Sequence, residues 1–131
     1  MNRPEVLVVG SGVMGRGIAK SFAAAGISSA IFSRNAARVT GVDPRVALLD
    51  QLPREAPLLV IESVPEEKEL KFACYAAIET AYTGAPVLAS NTSGIDLEAL
   101  AQSLKYPQRF IGMHYFMPAE VNTMVEVAPV K

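Results

Sequence analysis

Hydrophobic positions at the start of the chain follow a strand pattern first and a helix pattern next. Residues 5–9 end in a short apolar run, and glycines follow it directly. Such a run is typical of a buried parallel strand. Over residues 13–25 apolar side chains recur at helical spacing, and Gly26 stands where a helix commonly ends. The opening therefore predicts a strand, a glycine turn and a helix.

The same alternation continues to the end of the chain. Apolar runs predict strands at residues 29–32, 58–62, 87–90, 110–116 and 124–128, with a weaker edge strand at 39–42. Helical spacing predicts helices at residues 44–52, from Pro65 to near Gly84, and at 95–104. This order favours an α/β fold, with a parallel sheet joined by right-handed crossovers and covered by helices on both faces.

The last two predicted strands are an exception to the parallel pattern. About eight residues separate them, whereas a parallel return needs about a dozen or more, so we expect an antiparallel pair at the C-terminal end of the sheet. The register that pairs Tyr115 with Thr123 sets Gly112 opposite Glu126. It also makes His114 a diagonal neighbour of Glu126 on the same face, within hydrogen-bonding reach.

The composition predicts one compact domain without a basic surface that would bind polyanions. The chain has 131 residues, 50% of them hydrophobic, and a formal net charge of -1. We therefore expect no nucleic-acid partner and no membrane partner. One cysteine and one histidine exclude a disulfide and a cysteine-rich zinc cluster, so we expect no metal and a reducing, cytoplasmic setting. No export signal or membrane span is visible.

A glycine-rich turn links the first predicted strand to the first helix. It runs from Gly10 to Gly15 as GSGVMG, the strand-to-helix context in which GxGxxG binds a dinucleotide. The pattern assigns the tight turn to Gly10, the close approach of a pyrophosphate to Gly12 and helix packing to Gly15, with Val13 and Met14 between them. Together with the alternating elements, it predicts a Rossmann-like, doubly wound sheet. The alternative is a turn that packs closely and binds nothing.

The end of the second predicted strand lacks the carboxylate that usually binds the adenosine ribose. Ser33 and Arg34 stand there, and Arg38 follows one turn later. A guanidinium can pair with a 2′-phosphate, so we expect NADP to be preferred over NAD as the cofactor. The alternative is that Arg34 is an ordinary solvated loop residue.

Four sequence blocks, taken in order, carry a resemblance to a known family. They are GSGVMGRGIA from Gly10, VIESVPEEKELKF from Val60, LASNTSGI from Leu88, and RFIGMHYFMP with MVEV between Arg109 and Val127. Together they resemble the NAD-binding domain of the 3-hydroxyacyl-CoA dehydrogenase family over most of the chain. The resemblance implies hydride transfer between nicotinamide and carbon 3 of a 3-hydroxyacyl thioester, with a histidine as acid and base.

The resemblance also implies roles for individual residues. The family's catalytic histidine falls on His114, and its glutamate partner falls on Glu126. The serine that hydrogen-bonds the substrate oxygen falls on Ser93. The remaining positions that the resemblance adds to the cofactor-binding set are Glu66, Lys71 and Asn91.

The sequence departs from the family pattern in three places. Met117 replaces an asparagine near the nicotinamide, and Ser33 replaces the ribose-binding aspartate. The interval after the second strand spans about two dozen residues, where family members carry a long helical insertion. A free 3-hydroxy acid is therefore an alternative substrate to a 3-hydroxyacyl-CoA.

Several of these residues also have an ordinary structural interpretation. His114 fits a core histidine at the end of an apolar strand. Ser93 fits an N-cap box with Asp96, and Lys71 fits a solvated residue paired with Glu67. For the whole chain, the corresponding alternative is a dinucleotide-binding module that senses or regulates without turnover.

The family resemblance also bears on domain organisation. Members carry a C-terminal helical domain after the block that matches MVEV, and residues 1–131 contain no such segment. We therefore expect a dinucleotide-binding domain that has little dehydrogenase activity alone. A homo-oligomer or the missing domain would complete its site.

Overall fold

The computed structural model describes residues 4–84, 86–119, 121–122 and 124–130. Its strands are β1 (Val6–Val9), β2 (Ser29–Phe32), β3 (Ala47–Leu49), β4 (Leu59–Glu62), β5 (Val87–Ser90), β6 (Phe110–Tyr115) and β7 (Val125–Pro129). Its helices are α1 (Val13–Ala24), α2 (Lys68–Ala81) and α3 (Leu97–Ala101), and short 3-10 helices cover Ala36–Arg38 and Pro107–Arg109.

These strands form a seven-stranded sheet in the order β3-β2-β1-β4-β5-β6-β7. Neighbouring strands are parallel except for β6 and β7, which are antiparallel. The predicted Rossmann-like, doubly wound α/β fold with an antiparallel pair at its C-terminal end is confirmed. β2 and β3 lie on one side of β1, and β4 to β6 follow on the other side. This reversal creates a switch point between β1 and β4.

Both faces of the sheet are buried beneath helices. Along β1, Leu7 and Val9 belong to one cluster of buried residues, while Val6 and Val8 belong to another. Alternate residues of a strand point to opposite faces, so the two clusters lie on opposite sides of the sheet. The first cluster includes residues of α2 and α3, and the second includes residues of α1. Burial on both sides explains why β1 is apolar at every position.

The helix predicted at residues 44–52 is wrong, because this segment contains β3, and no strand forms at residues 39–42. Val46 and Leu48 pack into one core cluster, whereas Ala47 and Leu49 pack into the other. This two-residue alternation is that of a strand. β3 pairs with β2 and covers the edge that β2 would otherwise expose.

The two later helices are shorter than predicted. α2 begins at Lys68 and not at Pro65. α3 begins at Leu97 because Asp96 is its N-cap, with a carboxylate that accepts the Glu98 backbone N–H at 3.1 Å, and it ends at Ala101. In the described part of the chain, none of the helices has the length and apolar character needed to cross a membrane.

The register of β6 and β7 differs from the predicted one. His114 lies directly opposite Glu126. The loop that connects the two strands covers residues 116–124, whereas the predicted register gave a loop of residues 116–122. The longer loop includes a turn in which Asn122 donates its backbone N–H to the Pro118 carbonyl at 2.8 Å. Thr123, which the prediction placed in the pairing, lies outside the described residues.

Candidate functional site

A cavity of about 810 Å³ lies at the carboxyl ends of the parallel strands. β1, β2, β4, β5 and β6 each end at it or lead into a loop that lines it. Open α/β sheets bind ligands at this place, beside the switch point. The fold brings most of the predicted site residues together here, namely Gly10, Gly12, Val13, Met14, Gly15, Ser33, Arg34, Glu66, Asn91, Ser93 and His114.

The glycine turn forms one wall of this cavity. Gly10 has a φ of +122°, and a Cβ at that position would overlap the Ser63 carbonyl. A Cβ at Gly15 would overlap the Gly10 carbonyl, so the helix and the turn approach each other closely. At Gly12, by contrast, a Cβ would meet no atom of a described residue within 4 Å, apart from its neighbours in the chain and the helix backbone. The backbone at Gly12 is therefore accessible to a ligand.

Helix α1 begins in the same wall. Gly12 is its N-cap, and no side chain there bonds the free N–H groups of the first turn. The first turn also contains no acidic residue. An uncapped helix N-terminus carries partial positive charge and aims N–H donors outward, so this wall suits a phosphate group.

The end of β2 contributes a polar and cationic segment to the cavity. Ser33, Arg34 and Asn35 line it, whereas Arg38 does not. The Ser33 hydroxyl accepts the Asn35 backbone N–H at 3.2 Å and the Ser11 hydroxyl at 3.4 Å. Arg34 is exposed and forms no ion pair with a described residue. No carboxylate of this segment lines the cavity.

Asn91 ties together the loops that follow β4 and β5 and the end of β6. Its side-chain oxygen accepts the Tyr115 backbone N–H at 2.9 Å, and its amide nitrogen donates to the Ser63 hydroxyl at 3.4 Å. The side chain thus lines the cavity and also fixes the strand end that carries His114.

Glu66 makes a second link between these loops. Its carboxylate accepts the Thr92 hydroxyl at 2.7 Å and the Gly94 backbone N–H at 3.2 Å. Burial alone would raise the pKa of the Glu66 carboxyl, but the Thr92 hydrogen bond and the Lys71 ammonium outweigh it and lower the pKa. The cavity therefore has an ionised acceptor at this position near neutral pH.

Lys71 lies beneath the cavity and does not line it. Its ammonium donates to the Val64 carbonyl at 3.2 Å and pairs with Glu62 at 2.6 Å and Glu66 at 3.0 Å. These contacts match its three N–H donors. The interpretation of Lys71 as a solvated residue paired with Glu67 is wrong, because its side chain is only 1% exposed. Lys71 is connected to the cavity through Glu66.

Glu62 is a buried carboxylate that the sequence analysis did not single out. Besides the Lys71 ammonium, it accepts the Tyr75 hydroxyl at 2.6 Å, the Ser90 hydroxyl at 2.7 Å and the Val64 backbone N–H at 3.0 Å. Burial and the Glu62 charge raise the pKa of Tyr75 far above its usual value, which keeps its hydroxyl a donor. The available signal was a carboxylate at the end of an apolar strand, since such a group needs partners.

His114 lines the cavity at the end of β6, whereas Glu126 lies exposed on β7. Residues directly opposite in an antiparallel pair share a face, so the same-face prediction is confirmed. Among the described residues, no hydrogen bond or ion pair joins the two side chains. The imidazole instead packs against Phe116, with ring centroids 4.9 Å apart and planes at 53°.

Ser93 is exposed and lines the cavity. Its interpretation as an N-cap is wrong, because Asp96 caps α3 and the Thr92 hydroxyl accepts the Ile95 backbone N–H at 3.1 Å. These two neighbours make the local turn, and they leave the Ser93 hydroxyl available to a ligand.

Sequence reasoning missed part of the lining. Phe116, which the sequence did not single out as a site residue, is 37% exposed and lines the cavity together with Met117 and Ser63. An aromatic residue at the end of a strand has no signal that separates core from cavity. Across the described ranges, no group of three or more His, Cys, Asp or Glu side chains is arranged to hold a metal ion.

Comparison with known proteins supports the resemblance seen in the sequence. The family model described as "3-hydroxyacyl-CoA dehydrogenase, NAD binding domain" matches residues 5–57 and 44–131. The peroxisomal bifunctional enzyme of Danio rerio is 34% identical over 141 aligned positions, which cover 92% of this chain and 20% of that protein. The fatty acid oxidation complex subunit alpha of Ectopseudomonas oleovorans is 44% identical over 69 residues, covering 53% of this chain and 10% of that protein.

Solved structures agree with this result. The crystal structure of 3-hydroxybutyryl-CoA dehydrogenase from Escherichia coli K12 superposes with a TM-score of 0.81 at 29% identity, covering 97% of this chain and 32% of that one. The chain therefore spans a minor part of the length of these relatives.

Proposed function

Because the chain belongs to the 3-hydroxyacyl-CoA dehydrogenase family and matches its NAD-binding domain, we propose that its cavity binds a nicotinamide dinucleotide. The protein then acts as the dinucleotide-binding part of an oxidoreductase for a 3-hydroxyacyl-CoA or a related 3-hydroxy acid. One observation carries this proposal: the glycine turn and His114 line the same cavity. When bound, the cofactor supplies or accepts the hydride.

Different lining residues are proposed to bind different parts of the dinucleotide. The Gly10–Gly15 turn and the N-terminus of α1 hold the pyrophosphate, because backbone N–H groups and the helix dipole favour anions. Ser33 and Arg34 hold the adenosine ribose. The cavity volume, about 810 Å³, lies in the range expected of small-molecule and cofactor sites.

The segment at Ser33 and Arg34 supports a preference for NADP(H) over NAD(H). Its exposed guanidinium has no ion-pair partner among the described residues, and no carboxylate there would repel a 2′-phosphate. A charge-assisted hydrogen bond contributes about 1.5–3 kcal/mol, which corresponds to a preference of about tenfold or more.

On the chemical side, His114 is proposed as the acid and base that exchanges a proton with the substrate oxygen. Neutral imidazole accepts that proton during oxidation, and imidazolium donates it during reduction. Ser93, with its available hydroxyl, is proposed to hold the same oxygen. Glu126 shares a face with His114 and is proposed to orient the imidazole when substrate is present, since catalytic hydrogen bonds often tighten only in the complex.

We further propose that residues 1–131 form one dinucleotide-binding domain. Turnover then requires elements in addition to this domain. Phe116 and Met117 at the cavity are 37% and 64% exposed, which leaves the catalytic side uncovered. Orientation of the alcohol against nicotinamide can contribute about 7–11 kcal/mol, and that contribution needs a closed site. Robust oxidation of 3-hydroxybutyryl-CoA by the 131-residue chain alone would contradict this point.

Calorimetric titration with NADPH and NADH, both at one ionic strength, tests the binding proposal. We expect both cofactors to bind, NADPH more tightly. Arg34→Met should remove most of the preference, while Arg54→Met, at an exposed arginine that does not line the cavity, serves as the matched control. Binding of neither cofactor would overturn the proposed function, and equal affinities would overturn the proposed preference only.

A further inference from the structure

Arg16 joins two segments that border the cavity, although it does not line the cavity itself. Its Nε donates to the Gly12 carbonyl at 3.3 Å, and one terminal nitrogen donates to the Thr40 carbonyl at 2.7 Å. Among the described residues, no carboxylate pairs with its guanidinium. Arg16 therefore connects the glycine turn to the loop between β2 and β3.

This loop, residues 33–46, carries Arg34. Its near end is attached to the glycine turn where the Ser11 hydroxyl donates to Ser33 at 3.4 Å. Its middle is attached through Arg16 at Thr40, and its far end is held by Val42 and Val46, which pack into the core. The side chains of residues 34–39 make no hydrogen bond with any described residue. The base of the loop is also held by the Ser33 backbone N–H, which donates to the Leu49 carbonyl at 3.0 Å. The Arg16 bond to Thr40 is thus the side-chain attachment that joins the glycine turn to the part of the loop after Arg34.

We propose that Arg16 is a positioning residue that sets the discrimination between NADPH and NADH by fixing this loop against the glycine turn. The inference rests on the proposed binding of a dinucleotide. A guanidinium suits the task because its planar fork carries several donors, so that Gly12 and Thr40 can be bonded together. Loss of the Thr40 contact detaches the middle of the loop from the glycine turn, and Arg34 is then held less firmly toward the ribose.

Gly41 offers an independent way to disturb the same contact. It has a φ of +75°, and a built Cβ would lie 2.6 Å from the Arg16 terminal nitrogen. Because that nitrogen ends a flexible side chain, an alanine would push the guanidinium away from Thr40, and the positive φ would add local strain. Gly41→Ala should therefore reproduce the effect of removing the guanidinium.

The test compares the ratio of the two dissociation constants, NADH over NADPH, in several variants of the chain. We expect Arg16→Met and Gly41→Ala to lower this ratio by about fivefold or more, the effect of about one net hydrogen bond. Arg16→Lys, which retains the charge and can bond one carbonyl, should restore part of the ratio. Arg54→Met, the control, should leave it unchanged.

The ratio separates a positioning role from general loosening, because loosening weakens both cofactors alike. An unchanged ratio in Arg16→Met and Gly41→Ala would overturn the inference, whichever cofactor the unchanged chain prefers. Where Arg16→Met does not fold, Arg16→Lys and Gly41→Ala decide the question. Failure of the unchanged chain to bind either cofactor would instead show that the proposed function is wrong, and the inference would fall with it.

Discussion

Replacing Lys71 by methionine tests how much the buried charge cluster stabilises the fold around the cavity. Methionine fills a similar volume but removes the ammonium, so Glu62 retains a buried carboxylate without its counter-charge. The Lys71 and Glu62 side chains are 1% and 0% exposed. Removing one partner of such a pair costs about 3–5 kcal/mol, because the remaining charge is uncompensated. That loss is a large fraction of a free energy of unfolding on the order of 5–15 kcal/mol.

Urea unfolding at pH 7, followed by circular dichroism, measures this loss. Lys68→Met is the matched control, since Lys68 is an exposed residue at the start of the same helix. We expect the control to change the free energy of unfolding by no more than about 0.5 kcal/mol. The slope against urea should stay constant, which would show that the folded and unfolded states expose the same surface as before.

The double variant Glu62→Gln with Lys71→Met shows whether charge is the cause. It removes both charges and keeps a side-chain oxygen that accepts from Tyr75 and Ser90. We expect it to recover at least half of the loss, because neutral replacements of a buried pair are tolerated far better than a single deletion. A loss below about 1 kcal/mol in Lys71→Met, or losses that simply add in the double variant, would refute the reasoning.

Three further outcomes follow from the site. Ser33→Asp should raise the dissociation constant for NADPH by about tenfold or more, because a carboxylate repels the 2′-phosphate; titration with both cofactors measures it, and unchanged NADPH binding would count against the assigned ribose site. The lowered pKa of Glu66 means that its stabilising effect is full above the unfolded value of about 4.3 and is lost as pH falls through the lower folded value. The difference in free energy of unfolding between the unchanged chain and Glu66→Gln, measured in urea, should therefore vanish in acid. A difference that grows in acid would show that the pKa of Glu66 is not lowered by folding. Burial raises the pKa of Cys74 to about 12, so a thiol reagent at pH 8 should label it only after unfolding.

The parts of the fold that follow from local chemistry were predicted correctly. The strand, glycine turn and helix at the start depend on residues close in sequence, and the structure adds the reasons why Gly10 and Gly15 must be glycine: the positive φ of Gly10 and the close backbone approach at both positions. The segment at residues 44–52 was predicted wrongly because three strand residues are too few to show a period. Its strand conformation depends on pairing with β2, which is not a property of the segment itself.

Prediction of the catalytic side of the site was limited in the same way, by contacts between segments that are distant in sequence. The sequence places His114 and Glu126 on paired strands, but their register depends on a loop turn that carries no length signal. Helical spacing favoured a solvated Lys71 paired with Glu67, and the family resemblance placed Lys71 at the cofactor site. Its burial follows from Glu62, a partner that only the packing of α2 on β4 brings within reach. Contacts between distant segments therefore account for most of what could not be predicted.

The central claim is that this cavity binds a nicotinamide dinucleotide through the glycine turn. Backbone amide NMR of the isotopically labelled chain, titrated with NADPH, tests it most directly. We expect the largest chemical-shift changes at Gly10, Gly12 and Gly15, with further changes around Ser33 and His114. Changes confined to another surface, or no saturable change at millimolar NADPH, would contradict the claim.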